Sequence, residues 1–324
     1  MPCVERGFWR TGGVPAGMPC VERGFWRTGG TPAGGTRKQN LLSPDRNNRK
    51  NNYICVISVR VTEQRTFPLL SKERKSPPSK ARNALKIFTS MYKRVLLKLS
   101  GESLGGPAGK GLDTESLRKY SKEIAQAAKA GLQIAIVNGG GNIFRGLQGL
   151  DKGFDRVEGD RMGMLATVIN SLALSQFIKD EGVHAEVFSA TPMEPLVRYY
   201  NRDNAVKVLE EGGVALIAGG TGSPFFTTDS GAALRALEIK ADVVLKGTRV
   251  DGVYTADPEK DPTAVKYDEL TFDEAMAKHL KVLDQTAYAL CNDGNMPIIV
   301  FDVNGEGNLM KLIEGEKVGT LVHK

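Results

Sequence analysis

The sequence predicts an α/β protein whose sheet is mostly parallel and is covered by helices on both faces. From residue 92 onward, short unbroken runs of Val, Ile and Leu alternate with longer amphipathic segments. Strands buried on both faces have this unbroken apolar character, and helices are the usual connections between parallel strands. Residues 91–324 suit one domain, and no apolar run approaches the ~20 residues of a membrane helix.

The strands are predicted where the apolar runs are short and end at glycine or a polar residue. RVLLKL precedes Ser100 and Gly101, and VALIA runs into Gly219 and Gly220. Bounded runs of roughly four to eight residues favour strands over helices. The predicted strands, in order, cover residues 94–99, 133–138, 185–189, 214–218, 243–246 and 297–301.

The helices are predicted from their capping residues and from the glycines that follow them. Asp113 caps one helix, which ends before Gly131. Thr271 and Glu274 have the spacing of a capping box and open another helix. The remaining predicted helices cover residues 160–179, 202–211 and 230–239. Ligands of such a sheet are expected at the carboxyl ends of its strands.

Residues 1–90 differ from the rest of the chain. Residues 1–17 recur at 18–34 with a single change, and the segment that follows is polar, basic and without helical or strand periodicity. We expect a disordered tail: a basic arm, an organellar transit peptide, or upstream DNA translated from a start before Met91. We favour the last, so a chain that begins at Met91 is expected to keep full activity and stability.

Charge and cysteines exclude several classes of function. Residues 1–90 contain 17 Lys and Arg against 5 Asp and Glu, a net +12; the whole chain is +7, so residues 91–324 carry −5. This acidic part does not suit nucleic acid as a partner. Three of the four cysteines lie in the first 90 residues and none forms a CxxC pair, so neither a zinc site nor a disulfide framework is predicted. We expect a cytoplasmic protein.

Glycine-rich turns follow three of the predicted strands. They read GESLGG from residue 101, GGGNIFRG from 139 and GGTGSPFFTTD from 219. A glycine turn before a helix N-terminus directs backbone N–H groups and a positive dipole end at its ligand, and phosphate fits there. For the third turn, the plain alternative is an ordinary βα turn with Asp229 as N-cap. Neither GxxxxGK[ST] nor GxGxxG is complete, so the usual P-loop and dinucleotide motifs are absent.

Six segments along the chain are long and specific. They are YKRVLLKLSGESL, IVNGGGNIFRG, GDRMGMLATVINSLAL, TGSPFFTTD, ADVVLKGTRVDGVYTADPEKDP and KVLDQTAYAL. Together they resemble the bacterial-type uridylate (UMP) kinases of the amino-acid kinase superfamily. The resemblance implies an αβα sandwich with an open, mostly parallel sheet, and phosphoryl transfer from MgATP to UMP in pyrimidine nucleotide synthesis. It also implies a homohexamer with GTP and UTP as effectors.

Four candidate catalytic residues follow from this resemblance and from residue chemistry. Lys98 ends a buried strand, where a fixed cation can follow the transferring phosphoryl group. Arg145 can clamp phosphate oxygens, or is a plain surface arginine. Asp229 is expected to orient Lys98 or a magnesium-bound water rather than touch phosphate, because like charges repel. Asp284 matches another carboxylate of the family near the centre of the site.

The resemblance also assigns residues to the two nucleotides. Tyr254 can stack on adenine, or is an ordinary core aromatic, and Asp257 can accept from a ribose hydroxyl. Asp160 matches the position that binds the UMP nucleoside, and its alternative is a plain N-cap carboxylate. The ATP set is Lys98, Leu99, Ser100, Gly101, Gly141, Arg145, Thr248, Tyr254 and Asp257. The UMP set is Gly140, Asp160, Thr221, Gly222, Ser223, Pro224, Phe225, Phe226, Thr227 and Thr228.

Two alternative functions stay open at this point. The first is another kinase of the superfamily, acting on carbamate, an acyl carboxylate or a terpenoid phosphate; TGSPFFTTD and Asp160 argue against it. The second is a nucleotide-binding or storage protein without catalysis, which the presence of Lys98, Arg145 and Asp229 opposes. Mg²⁺ is expected only as the ion carried with ATP, and no protein metal ligands are predicted.

Overall fold

The computed structural model describes residues 92–145, 153–280 and 282–324. The predicted tail, its internal repeat and Met91 lie outside the described residues. In the part of the chain that is described, no helix is long and apolar enough to cross a membrane.

A nine-stranded sheet forms the centre of the described part of the chain. Its strands are β1 Arg94–Leu99, β2 Gln133–Asn138, β3 Ala185–Ser189, β4 Arg198–Tyr199, β5 Val214–Ala218, β6 Val243–Thr248, β9 Glu269–Thr271, β10 Ile298–Asp302 and β11 Thr320–His323. Their spatial order is β4-β3-β5-β2-β1-β6-β10-β11-β9, and each neighbouring pair is parallel except β10 with β11. A separate antiparallel pair consists of β7 Val253–Tyr254 and β8 Lys266–Tyr267. The predicted mostly parallel α/β sheet is confirmed.

Eight α-helices connect the strands in the described residues. They are α1 Gly101–Leu104, α2 Thr114–Lys129, α3 Arg156–Asp180, α4 Arg202–Glu210, α5 Thr228–Glu238, α6 Phe272–Ala277, α7 Gln285–Asp293 and α8 Asn308–Ile313. Side-chain caps define the starts of α2 and α6: Asp113 caps α2, and Thr271 and Glu274 complete the predicted capping box of α6. Gly131 follows α2 with a φ of 98°, a conformation that glycine adopts without strain.

Alternation along the central strands separates two apolar cores. Val95, Leu97 and Leu99 of β1 pack on the face covered by α2, α3 and α8, while Leu96 packs on the face covered by α4, α5 and α7. Successive side chains of a strand point to opposite faces, so Lys98 belongs to the second face. The architecture is the expected αβα sandwich, with helices on both sides of the sheet.

Some predicted element boundaries are wrong. Helix α3 begins at Arg156, four residues earlier than predicted, because Asp155 is its N-cap; its polar first turn, which contains a glycine, concealed the start. Helix α5 begins at Thr228, two residues earlier than predicted, because Thr227 rather than Asp229 is its N-cap. The other differences in the predicted elements are of one or two residues: β6 ends at Thr248, β10 covers Ile298–Asp302, α3 ends at Asp180, α4 ends at Glu210 and α5 ends at Glu238. Helix α7 and the short strands β4, β7, β8 and β9 were not predicted.

Candidate functional site

Three glycine turns follow the carboxyl ends of β1, β2 and β5, as predicted. Gly101 opens α1, residues 139–141 follow β2, and residues 219–220 follow β5. The first two turns pack so closely that a side-chain carbon at Gly101 would lie 2.6 Å from Asn142 Oδ1 and 2.8 Å from Gly141 N. Only glycine permits this approach, so the backbones of the two turns meet directly at this point of the sheet edge.

Two lysines and one aspartate form a buried charge cluster at the same edge. Lys98 of β1 and Lys246 of β6 are partners in the sheet register, so they lie side by side. Asp229, in the first turn of α5, contacts both: Oδ1 is 2.7 Å from Lys98 Nζ, and Oδ2 is 2.6 Å from Lys246 Nζ. The three side chains are only 12–16% exposed. Lys98, Asp229 and Lys246 are called the charge cluster below.

Lys246 has a second partner besides Asp229. It donates one hydrogen bond to Oδ2 and another to the backbone carbonyl of Val282. Lys98 contacts Oδ1 of the same carboxylate in an ion pair of 2.7 Å. A lysine ammonium has three donors. Lys98 is therefore the cation of the cluster that is better placed to donate hydrogen bonds to a ligand.

The charges of the cluster compensate one another in part. Burial raises the pKa of Asp229, but Lys98 and Lys246 together outweigh burial and lower that pKa to about 2. Burial lowers the pKa of Lys246, and Asp229 opposes this effect. One carboxylate between two ammonium groups leaves a net charge of +1. An anion such as a phosphate oxygen would balance this charge.

Lys246 is the functional candidate that the sequence analysis missed. It ends the predicted strand 243–246, whose first three residues are apolar, just as Lys98 stands near the end of the apolar strand β1. That shared pattern could have found it. The neighbourhood of β1 and β6 in the sheet, which brings the two lysines together, has no local sequence signal. The expected contact between Asp229 and Lys98 is present.

Asp284 joins the starts of two helices next to the charge cluster. It is the N-cap of α7 and accepts from the backbone N–H of Ala287 at 2.8 Å. Its carboxylate also accepts from the hydroxyl of Thr227 and, at 2.9 Å, from that of Ser230. Because Thr227 caps α5, these bonds fix the N-terminus of α5, and hence Asp229, relative to α7.

Arg145 is the most exposed of the predicted catalytic residues. Its side chain is 46% exposed, and its guanidinium forms an ion pair with Glu102 of α1. The pair lies in the wall of a polar cavity of about 620 Å³ that Gly141, Lys110 and Arg249 also line. Arg145 is thus brought to the glycine turns, where it contacts Glu102 rather than the charge cluster.

Asp160 holds the tip of the loop that starts at Gly219. It lies in the second turn of α3, so the alternative of an N-cap carboxylate is wrong. Its Oδ2 accepts from the backbone N–H of Phe225 at 2.8 Å and from Arg156 Nε at 2.7 Å. Phe225 has a φ of 72°, which is uncommon for a residue with a side chain. Phe225 and Phe226 are 65% and 48% exposed, so their rings are accessible to a ligand.

The segment predicted to bind the ATP base lines a cavity of about 630 Å³. Thr248, Tyr254 and Asp257 are in its wall, together with Lys246 of the charge cluster. Tyr254 is half-buried, and its hydroxyl donates to Asp251 at 2.5 Å; this bond raises the pKa of Tyr254 and lowers that of Asp251. Tyr254 is therefore fixed at the cavity wall, and Lys246 connects that wall to the charge cluster.

The carboxylates of the site do not form a metal centre. Both oxygens of Asp229 contact lysines, and the carboxylate of Asp284 accepts from hydroxyls and a backbone N–H. Within the described ranges, no three His, Cys, Asp or Glu side chains are grouped so that they could hold an ion. The residues in place therefore do not fit a resident metal ion bound by the protein alone.

Comparisons with known sequences all match one protein family. A sequence model of the amino acid kinase family matches residues 93–302. The uridylate kinase of Parabacteroides distasonis is 58% identical over 234 residues, which are 72% of this chain and 99% of that protein. The uridylate kinase of Bacteroides thetaiotaomicron is 57% identical over 232 residues, which are 72% of this chain and 98% of that protein.

Solved structures lead to the same family. The UMP kinase from Bacillus anthracis matches with a TM-score of 0.69 and 37% identity, over 72% of this chain and 96% of that one. The UMP kinase from Ureaplasma parvum matches with a TM-score of 0.68 and 37% identity, over 72% and 99%. These matches confirm the resemblance carried by the six sequence segments. The chain belongs to the amino acid kinase family, and within it to the bacterial-type uridylate kinases.

Proposed function

We propose that this chain transfers the γ-phosphoryl group of ATP to UMP, giving ADP and UDP. The observation that carries the proposal is the charge cluster, which leaves one positive charge at the edge of the sheet that bears the glycine turns. The relatives supply the acceptor, since proteins 57–58% identical to this chain are uridylate kinases. They favour this function over a kinase for another acceptor and over a binding protein without catalysis.

Phosphoryl transfer depends on positioning and charge compensation more than on covalent help from the protein. A phosphate oxygen of UMP bonds to the γ-phosphorus while the bond from that phosphorus to the β,γ-bridging oxygen breaks, and the electron pair stays on ADP. Lys98 is proposed to contact the transferring group, because its ammonium has three donors and, unlike that of Lys246, does not also donate to the Val282 carbonyl. Asp229 keeps Lys98 and Lys246 in place, and the net positive charge stabilises the developing negative charge.

The two nucleotides are proposed to approach the cluster from different sides. UMP would bind along residues 221–228 with Gly140 and Asp160; the bond from Phe225 to Asp160, which fixes this loop, supports that placement. The ATP base would occupy the cavity lined by Thr248, Tyr254 and Asp257. Lys246 lies both in that cavity wall and in the charge cluster, which supports a path for the ATP phosphates toward Lys98.

The remaining ATP contacts are proposed on the glycine-turn side. They are Leu99, Ser100, Gly101, Gly141 and Arg145. An accompanying divalent ion is implied for a kinase of this family, and we propose Mg²⁺, entering as MgATP. The carboxylates described above are occupied by lysines, hydroxyls and backbone groups, which supports phosphate oxygens as the main ligands of that ion.

Assembly and regulation are proposed from the family. A homohexamer is supported by the outward face of α3, where Leu165, Ile169 and Leu172 are 41–49% exposed. GTP and UTP are proposed as effectors. The reaction would belong to pyrimidine nucleotide synthesis, and a cytoplasmic location is proposed from the cysteine pattern.

Identifying the product tests the proposed function. The chain is incubated with MgATP and one acceptor at a time: UMP, carbamate, an acyl carboxylate or a terpenoid phosphate. We expect ³¹P NMR to show UDP and ADP with UMP and no phosphorylated product with the others. A product with another acceptor but not with UMP would support a different kinase of the family. Calorimetric binding of both nucleotides without any turnover would support a binding protein.

A further inference from the structure

Helix α3 buries polar residues and exposes large apolar ones along one stretch. Leu165, Ile169 and Leu172 are 41–49% exposed, whereas Thr167 and Asn170 are 3% and 0% exposed. Helices of globular proteins normally bury their apolar stripe and expose their polar residues. Buried polar side chains must be hydrogen-bonded to avoid a large desolvation cost. The partners of Thr167 and Asn170 therefore indicate what the buried polar face does.

Asn170 holds the glycine turn that follows β2. Its side-chain amide donates to the carbonyl of Gly139 at 2.7 Å and forms a reciprocal pair with the amide of Asn142, at 2.7 and 2.9 Å. The helix backbone lies against the same turn, since a side-chain carbon at Gly140 would be 2.7 Å from the carbonyl of Gly163. This turn and α3 thus form one tightly packed unit.

Thr167 holds the other glycine turn. Its hydroxyl accepts from the backbone N–H of Gly219 at 2.8 Å and donates to the carbonyl of Met164 at 2.7 Å. Gly219 is buried and has a φ of 78°, which turns the chain away from β5 at this residue. The hydroxyl therefore satisfies a buried N–H at the first residue of the loop that continues to Thr228.

We infer that Thr167 is a positioning residue for the UMP-binding loop. Thr167 connects the loop that starts at Gly219 to helix α3. Asn170 connects the same helix to the turn at residues 139–141. The separation of these two turns sets where the acceptor phosphate lies relative to Lys98. This inference rests on the proposed function, because it assigns the loop to UMP.

Steady-state kinetics of three variants test this inference. Thr167→Val keeps the shape of the side chain but leaves the Gly219 N–H without its acceptor, so kcat/KM for UMP should fall on the order of tenfold or more. KM for ATP should change little, because the hydroxyl bonds to the loop assigned to UMP and to its own helix. Thr167→Ser keeps the hydroxyl and should restore the value for UMP.

Ser175→Ala is the matched control on the same helix. Ser175 is also buried, and its hydroxyl likewise donates to the carbonyl three residues earlier, at 2.9 Å. Among the described residues, this hydroxyl is not hydrogen-bonded to a glycine turn. Ser175→Ala should leave both kinetic constants near those of the unchanged chain. The inference is overturned if Thr167→Val has the same kinetic constants as Ser175→Ala. It is also overturned if Thr167→Val raises the KM for UMP and the KM for ATP equally.

Amide hydrogen exchange without nucleotide separates this inference from the proposed function. The peptide that contains Gly219 should exchange faster in Thr167→Val than in Thr167→Ser, while strand β2 keeps its protection. Unchanged exchange at Gly219 overturns the inference even if UMP is the substrate. Faster exchange at Gly219 in a chain that does not phosphorylate UMP would support the role of Thr167 in holding the loop and would reject the proposed function. Should Thr167→Val fail to fold, Thr167→Ala replaces it, and exchange equal to that of Thr167→Ser overturns the inference.

Discussion

At the residue scale, the site depends on three charges in contact. Lys98 and Lys246 are opposite each other on neighbouring strands, an arrangement in which like charges repel. Asp229 offsets this repulsion by contacting both, and its place in the first turn of α5 favours a negative charge. Asp229 therefore contributes to folding as well as to the proposed chemistry, and substitutions in the cluster are expected to separate these two effects.

Lys98→Ala should lower kcat far more than it raises KM for either nucleotide. Negative charge shifts toward the bridging oxygen only as the phosphoryl group transfers, so Lys98 binds the transition state better than the substrates. We expect a loss on the order of 3–4 kcal/mol, or about a hundred- to a thousandfold in rate. Initial rates of UDP formation over a grid of both nucleotide concentrations measure the two constants separately.

Two further variants control this prediction. Lys98→Arg should not restore the rate, since a planar guanidinium does not occupy the site of a compact ammonium. Lys122→Ala removes a lysine from the exposed face of α2 and should have no effect. Near-normal kcat with a raised KM in Lys98→Ala would make Lys98 a residue that only binds the ground state.

Asp229→Asn should change how stability depends on acid. The folded chain lowers the pKa of Asp229 from 3.8 to about 2, so the ionised carboxylate stabilises the fold above pH 3.8, and this contribution is lost as the pH falls toward 2. The contribution is about 2 kcal/mol, roughly half of it lost by about pH 3. Urea unfolding at about pH 6 and pH 3 should show a smaller acid-induced loss in Asp229→Asn. An equal loss in both chains would contradict the coupling to the lysines.

At the element scale, the starts of α5 and α7 form one unit through Asp284.

The strands β1, β2, β3 and β5 were predictable at their observed bounds, because each is a short, largely apolar run bounded by a glycine or polar residue. The start of α3 was not, because its first turn is polar and contains Gly159. The N-cap of α5 was also not predictable. Thr227, Thr228 and Asp229 are all residue types that cap helices well, and only the backbone conformation distinguishes Thr227 as the cap.

Asp284→Ala should destabilise the fold by about 1–2 kcal/mol. The substitution removes the cap of α7 and the acceptor for the hydroxyls of Thr227 and Ser230. Asp284→Asn retains an acceptor oxygen and should recover most of this free energy of unfolding. Urea unfolding at neutral pH compares the two variants. Equal losses would mean that the charge of Asp284, rather than its capping bonds, stabilises the fold.

At the scale of the whole molecule, the order of the strands determines the site. Residues 98 and 246 become neighbours only because β1 lies between β2 and β6. Pairing between distant segments leaves no periodicity in a single sequence, so Lys246 was missed although its local pattern matches that of Lys98. The αβα sandwich itself was predictable, because the resemblance covers long segments in order. The fold of the matching structures confirms it.

The outward face of α3 is the proposed contact between copies of the chain. We expect Ile169→Lys to lower the molecular mass in solution, because it places a charge in an apolar patch proposed to pack against another copy. Val265→Lys is the control: Val265 is 65% exposed on a loop far from α3 in sequence. Sedimentation velocity measures the mass of each. An unchanged assembly in Ile169→Lys would exclude this face as an interface.

Phosphorylation of UMP by this chain is tested by the ratio of kcat/KM for UMP to that for CMP at saturating MgATP. A pocket that hydrogen-bonds the uracil edge leaves buried polar groups unpaired when cytosine changes the donor pattern. We therefore expect UMP to be preferred on the order of a hundredfold or more. Comparable efficiency with CMP, or no UDP formed at all, would show that the chain is not a kinase specific for UMP.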